Sequence, residues 1–172
     1  WGCASWAEKD GLTELVRTQA DKLKESADGC QVLASMIAYG SAKNRKHIVK
    51  GLSSSCKEMA TYQDTCLPVV RALVSVDDTR LLTENILKHL LHPTDILEEN
   101  MFDSVCSAVI CMALNPSCGS SYLPKDMVDK LKPVTRPDPK NQDKEMETSK
   151  KPTEKRRAEL CKMALPTILS YV

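Results

Sequence analysis

Aromatic residues are scarce in this chain, at 4% of the sequence with a single Phe. Strands draw on aromatic and β-branched side chains to cover a pleated surface, so the scarcity tilts the fold toward helix. Long apolar runs are missing too. The longest nearly apolar stretch, Val105–Leu114, is far too short to span a bilayer, and no membrane partner is expected. No basic-then-apolar leader is visible, and the chain starts at Trp1 and not at Met, which reads as a fragment or processed form. Metal-ligand spacing is lacking: there is no C-x-x-C, and neither Cys106 with Cys111 nor His89 with His92 has a matching second pair. There is no Gly-rich phosphate loop and no H-E-x-x-H. A nucleophile needs a base beside it and a group that orients the base, and the sequence offers no such constellation around His47, His89 or His92. The acid pairs Asp77-Asp78 and Glu98-Glu99 read as helix caps and exposed faces. The expectation is a protein that is not an enzyme, with no cofactor, no metal and no small-molecule substrate.

What is present is a good supply of helix formers. Apolar residues make up 42% of 172 residues, enough for a core and too many for wholesale disorder. Several of the eight cysteines (Cys66, Cys106, Cys111 and Cys161) sit among apolar neighbours at helical spacing. They read as small buried hydrophobes in a reducing, intracellular setting, not as a disulfide scaffold. Net charge is +1, but it is unevenly spread. Residues 61–131 carry ten acidic and five basic side chains, whereas both flanks are basic, so only local patches would attract phosphate.

The helical period divides the chain. Leu12, Leu15, Val16, Ala20 and Leu23 outline an amphipathic helix that Asp28-Gly29 breaks. Val32, Leu33, Met36 and Ile37 define a second helix, and Ser41 is the expected N-cap of a third through Ile48, Val49 and Leu52. Cys56, Met59 and Ala60 mark a fourth, residues 65–74 a fifth, and Asp77-Asp78 opens a sixth through Leu90. A short helix through Ile96 and Leu97, one over 102–114 and a brief one over 124–131 follow. Residues 133–150, with three Pro and many charges, read as a flexible linker. Residues 151–172 form a last amphipathic helix that Pro166 is expected to kink.

An internal repeat organises these helices. A small residue, two variable ones and two aliphatics occur as Gly29-Cys30-Gln31-Val32-Leu33, as Cys66-Leu67-Pro68-Val69-Val70 and as Cys106-Ser107-Ala108-Val109-Ile110, at offsets of 37 and 40 residues. A three-helix unit at this period buries its apolar face only by stacking on its neighbours. HEAT, armadillo and pumilio repeats all fall near this length, so the period alone does not choose among them.

Two stretches resemble the pumilio (Puf) family. The run from Tyr39-Gly40-Ser41 through Lys43-Asn44-Arg45-Lys46-His47-Ile48-Val49-Lys50 is similar to the loop and first helix of a Puf repeat, and residues 65–82 are similar to the helices that follow it. The closer resemblance is to the nucleolar Puf-A-type branch with a CPL domain. It rests on Asp28-Gly29, Val76-Asp77-Asp78-Thr79-Arg80-Leu81-Leu82, Leu114-Asn115-Pro116, Tyr122-Leu123-Pro124-Lys125 and Lys155-Arg156-Arg157-Ala158-Glu159-Leu160, in that order over residues 28–172. The resemblance implies an all-α fold, an α-solenoid of stacked three-helix pumilio-like repeats. About three repeats would lie within residues 1–132, centred on 29–52, 53–90 and 93–131, with a CPL-like region starting at 151. It also implies a nucleolar, nuclear protein that binds structured RNA such as pre-rRNA, or duplex DNA, beside ribosome-assembly proteins of the large subunit.

Sequence-specific Puf proteins read one base with three side chains on each second helix. Here those positions are Cys30, Gln31 and Ala34; Leu67, Pro68 and Arg71; and Ser107, Ala108 and Cys111. Leu, Pro, Ala and Cys supply neither paired polar groups nor a stacking plane, so backbone contacts are expected in place of base readout. The candidate nucleic-acid-binding residues are the basic helix of Lys43, Arg45, Lys46, His47 and Lys50, together with Gln31 and Arg71. A second basic cluster of Lys150, Lys151, Lys155, Arg156 and Arg157 reads as a basic arm. Trp1 and Trp6 are candidates for stacking on bases or for packing on a further repeat. The other reading is a helical-repeat scaffold for a protein partner, which the acidic middle of the chain favours.

Overall fold

A computed structural model describes residues 5–91, 104–138 and 141–170. It is built almost wholly of helices. They are α1 (Trp6–Val16), α2 (Ala20–Leu23), α3 (Ala27–Tyr39), α4 (Ala42–Leu52), α5 (Cys56–Thr61), α6 (Leu67–Ser75), α7 (Thr79–Leu82) and α8 (Lys88–Leu90), then α9 (Ser104–Leu114), α10 (Pro116–Gly119), α11 (Lys125–Lys130) and α12 (Thr153–Leu169). A π-helical stretch, Thr83–Leu87, joins α7 to α8 without a break. The segment expected to carry the Ile96–Leu97 helix lies outside the described residues.

Local chemistry sets several of the boundaries. The Ser26 side chain accepts the Gly29 amide and starts α3; Ser41 does the same for the Asn44 amide at α4, and Asp78 for the Leu81 amide at α7. Gly29 therefore does not break a helix. It lies inside the first turn of α3, where it lets the chain pass close to the Leu23 carbonyl. The first helix is also not continuous: a 3-10 turn over Arg17–Gln19 separates α1 from α2. Of its apolar stripe, Ala20 is buried, while Leu12 and Leu15 face solvent.

The three copies of the repeat motif begin α3, α6 and α9, which pack in order, α3 on α6 and α6 on α9. This is the solenoid stack, and the core follows its seam. Leu33, Met36, Ile37, Ile48, Val49, Leu52, Leu73, Leu82, Ile86, Leu87 and Leu90 are fully buried. Each such side chain stabilises the fold by roughly 1.5–3 kcal/mol through apolar burial alone. Cys30, Cys56, Cys66 and Cys106 are buried free thiols, and burial pushes Cys56 and Cys66 up to about 12. These thiols pack among the apolar side chains of the core.

The reading of residues 133–150 as a flexible linker is corrected by the fold. Strand β1 (Thr135–Asp138) pairs antiparallel with β2 (Asn141–Glu147), Thr135 opposite Glu147 and Arg136 opposite Met146. A lone hairpin is marginal in water, and this one is held from outside. Asp77 accepts the Ser149 hydroxyl and the Lys150 and Lys151 amides, at 2.8 Å for Lys150 and 3.1 Å for Lys151. Beyond it, α12 continues past Pro166 to Leu169 and turns Arg156, Leu160 and Ala164, spaced four apart, onto α9 and α7.

Candidate nucleic-acid interface

Helix α4 is amphipathic in charge as well as in hydropathy. Arg45, Ile48, Val49 and Leu52 share the buried face, and Lys43, Lys46, His47 and Lys50 share the exposed one. No acid lies on the helix. Lys43 makes an exposed ion pair with Glu14 at 3.3 Å, an interaction worth under about 1 kcal/mol that a phosphate would readily displace. The side chains of Lys46, His47 and Lys50 make no hydrogen bond or ion pair among the described residues.

Arg45 does not belong to that surface, which corrects its reading as a phosphate contact. It is 6% exposed, and its guanidinium donates to the carbonyls of Ala38 at 2.8 Å, Thr148 at 3.3 Å and Ser75 at 3.5 Å. Burial lowers its pKa, the nearby Arg136 and Arg156 act in the same direction, and Asp77 and Asp10 oppose them.

Gln31 and Arg71 do meet, in a concavity of about 360 Å³ that also holds Lys130 and Lys132. Gln31 is exposed. Arg71 is not free to meet a base, however, and this second reading is also corrected. Its guanidinium, pushed down to about 10 chiefly by burial, donates to the carbonyls of Leu131 at 3.3 Å and Lys132 at 3.1 Å. The turn that leads into the hairpin thus lies across this base-facing position. Cys30, Ala34, Leu67, Pro68 and Ala108 are buried as well, and Ser107 and Cys111 are half-buried, so of the positions that would read bases Gln31 alone is exposed.

The expected basic arm is docked rather than free. Arg156 is 4% exposed and donates to the Ser149 hydroxyl at 2.6 Å. Arg157 donates through Nε to the Leu114 carbonyl at 2.6 Å, and Lys151 pairs with Glu159 at 2.6 Å. Lys155 faces solvent, and so does Lys150.

The fold adds what the sequence did not connect. Lys43, Arg45 and Lys46 on α4, Arg136 on β1 and Lys150 after β2 line one open cleft of about 880 Å³, with Trp6 and Tyr39 on its wall. No linear motif links these segments; the hairpin brings them together.

Comparison with known proteins agrees with this architecture. The CPL (NUC119) domain family matches residues 119–172, a match that begins well before residue 151, where the resemblance places the start of a CPL-like region. Human Pumilio homolog 3 is 27% identical over 161 residues, 94% of this chain and 23% of that protein. Pumilio homolog 24 of Arabidopsis thaliana is 30% identical over 117 residues, 68% of this chain and 18% of that protein. The chain thus spans about a quarter or less of the length of the curated relatives it matches. The crystal structure of human Puf-A superposes with a TM-score of 0.79 at 26% identity, covering 98% of this chain and 30% of that one. A second crystal structure, of human Puf-A in complex with DNA, matches with the same TM-score of 0.79 and covers 98% of this chain and 31% of that one. Stacked three-helix repeats that run into a CPL region make this chain a Puf-A-like member of the pumilio family.

Proposed function

We propose that this chain binds nucleic acid, structured RNA above all and duplex DNA as well, through the phosphate backbone and without a base-reading code. The observation that carries the reading is the cationic edge of α4. Lys43, Lys46, His47 and Lys50 point one way from a single helix, next to Arg136 and Lys150 across the cleft. Support also comes from the likeness to human Puf-A, which has been crystallised with DNA. The acids of the cleft are held by protein donors, and the exposed cations of α4 lie outside the acidic middle of the chain. Asp10 holds the Ser41 amide and the Asn44 side chain, Asp77 holds the hairpin exit, and Asp78 caps α7. The chain is read as non-catalytic.

The reading extends to a setting: pre-rRNA in the nucleolus, beside assembly proteins of the large ribosomal subunit. Its support is the resemblance to the nucleolar branch of the family. A fluorescent fusion of the full-length protein tests it, with nucleolar signal and co-purifying rRNA precursors expected.

The binding test is a salt series with a structured RNA and an unrelated duplex. Comparable affinities that fall steeply with salt are expected, because each neutralised phosphate adds about 0.7–0.9 to the log–log slope. The triple variant K43E/K46E/K50E is expected to lower that slope by roughly 2–3 and to weaken both ligands alike. No binding at low salt would sink the reading and favour a protein-binding scaffold. Met163, Leu165 and Leu169, exposed on α12, would then be the first surface to examine.

A further inference from the structure

The cleft beside α4 has features that a plain phosphate track does not need. Trp6 and Tyr39 stand on its wall with ring centroids 5.2 Å apart and planes tilted by 47°. Both rings are half-buried, so each keeps surface open to the cleft. The Lys9 ammonium sits 4.5 Å from the Tyr39 centroid and 5.6 Å from that of Trp6, which fixes the pair and adds positive charge behind it. A backbone-directed surface has no use for a fixed aromatic pair. A nucleobase does, because every base has a π-face that stacks on such rings whatever its sequence.

The polar groups of the cleft point to the same ligand. The Nε atoms of Arg45 and Arg136 are buried and have no acceptor, although both side chains line the cleft and Arg45 is 6% exposed. Arg71 carries a third such Nε outside this cleft, and all three are closed to solvent, so the groups that can meet a phosphate here are the exposed ammonium groups of Lys43, Lys46 and Lys150 and the outer nitrogens of Arg136. The cleft's three carboxylates are engaged by protein donors, as described above. Lys46 and Lys150 complete the cationic rim. The volume of about 880 Å³ falls in the range that takes a nucleotide-sized ligand, and the mouth is open enough for a strand to enter and leave.

We propose that this cleft takes a single unstacked nucleotide of the bound strand, its base against Trp6 and Tyr39 and its phosphate against Arg136, Lys46 and Lys150. The proposal rests on the backbone-binding reading and deepens it. It gives a protein without a base code a preference for a shape, a bulge or strand end whose base is already out of the stack. The site lies apart from the base-facing positions of the repeat helices, most of which are buried here.

The test compares an RNA hairpin carrying a one-nucleotide bulge with the same hairpin fully paired, and includes adenosine monophosphate alone. The protein is expected to bind the bulged hairpin about tenfold more tightly, the scale of one stacked base. Trp6→Leu is expected to remove that preference and leave the affinity for the paired hairpin unchanged. Should Trp6→Leu fold poorly, Arg136→Gln keeps the ring pair and is expected to remove most of the same preference. Lys50→Glu, on α4 but outside the cleft, is expected to weaken both hairpins equally. Equal affinity for the two hairpins in the unaltered protein overturns the proposal while leaving backbone binding intact. Loss of binding to both hairpins overturns the two readings together. Adenosine monophosphate binding as tightly as the bulged hairpin overturns the strand and assigns the cleft to a free nucleotide.

Discussion

Asp77 and Arg156 face each other at 3.7 Å, one in the turn before α7 and the other in the first turns of α12. Arg156 donates to the Ser149 hydroxyl, which donates in turn to Asp77, so one carboxylate gathers the hairpin exit and the C-terminal helix. Asp77→Asn keeps the shape, gives up the charge and leaves a buried Arg without its counter-ion. The expected cost is about 2–3 kcal/mol, in line with charged hydrogen bonds lost at a partly exposed site. Hydrogen exchange is the direct readout. Protection is expected to drop across β1, β2 and α12 and to persist in α3 and α6. Uniform loss of protection, or none, would mean that the C-terminal elements are not fastened here.

The same contact sets a pH dependence. Burial works to raise the Asp77 carboxyl, but the bonds from Ser149, Lys150 and Lys151 and the charge of Arg156 outweigh it, so its pKa lies below the ordinary 3.8. A carboxyl depressed by folding contributes its stability in full above the unfolded value and loses it as pH falls through the folded one. Docking of α12 is therefore expected to hold steady from pH 7 down to 5 and to weaken below 3.8. The amide resonances of Lys150 and Lys151, which donate to that carboxylate, are the probe. They are expected to shift together in acid, and the shift is expected to be absent in the Asp77→Asn protein.

Arg71 and Lys50 separate structural cations from binding ones. Arg71→Met preserves much of the stem packing but strips the Leu131 and Lys132 carbonyls of their donor. A loss of about 2–4 kcal/mol is expected, a fall in Tm of roughly 5–10 °C for a chain of this size. Lys50 is exposed, so Lys50→Glu is expected to stay within about 0.5 kcal/mol of the parent while weakening nucleic acid. Thermal melts of the two variants, run beside the salt series, decide the matter. A stable Arg71→Met protein with impaired binding would return Arg71 to the interface.

What the sequence made legible was local. The Ser41 and Asp78 caps were readable because the side chain and the amide it accepts lie three residues apart. The repeat was readable because the same residue types recur where α3, α6 and α9 begin. The charge of α4 was legible too, but its direction was read too broadly. Arg45 stands three, four and seven residues before Ile48, Val49 and Leu52, and that spacing already puts it on the buried face. The hairpin was not legible. Its strands lack apolar alternation, and what holds them is Asp77 and Arg45, distant in sequence and polar in kind. The cleft inherits that limit, since Arg136 and Lys150 join α4 only when the hairpin docks.

Gly29 and Gly11 offer the sharpest test of the packing itself. Both lie in helices, Gly29 in α3 and Gly11 in α1, and neither has a positive φ, so backbone strain does not distinguish them. Space does. A Cβ at Gly29 would stand 2.0 Å from the Leu23 carbonyl oxygen and 2.7 Å from its carbon, all backbone with no rotamer to give way. A Cβ at Gly11 meets nothing within 4 Å. Gly29→Ala must therefore push α2 from α3 and loosen the start of the first repeat motif, at an expected cost of about 2–4 kcal/mol. Gly11→Ala gains helix propensity with no clash and is expected to stabilise by about 0.5–1 kcal/mol. Denaturant midpoints measured side by side decide it. Opposite signs support the close crossing at the α2–α3 junction, whereas a neutral Gly29→Ala would mean that Asp28-Gly29 is a simple helix break after all.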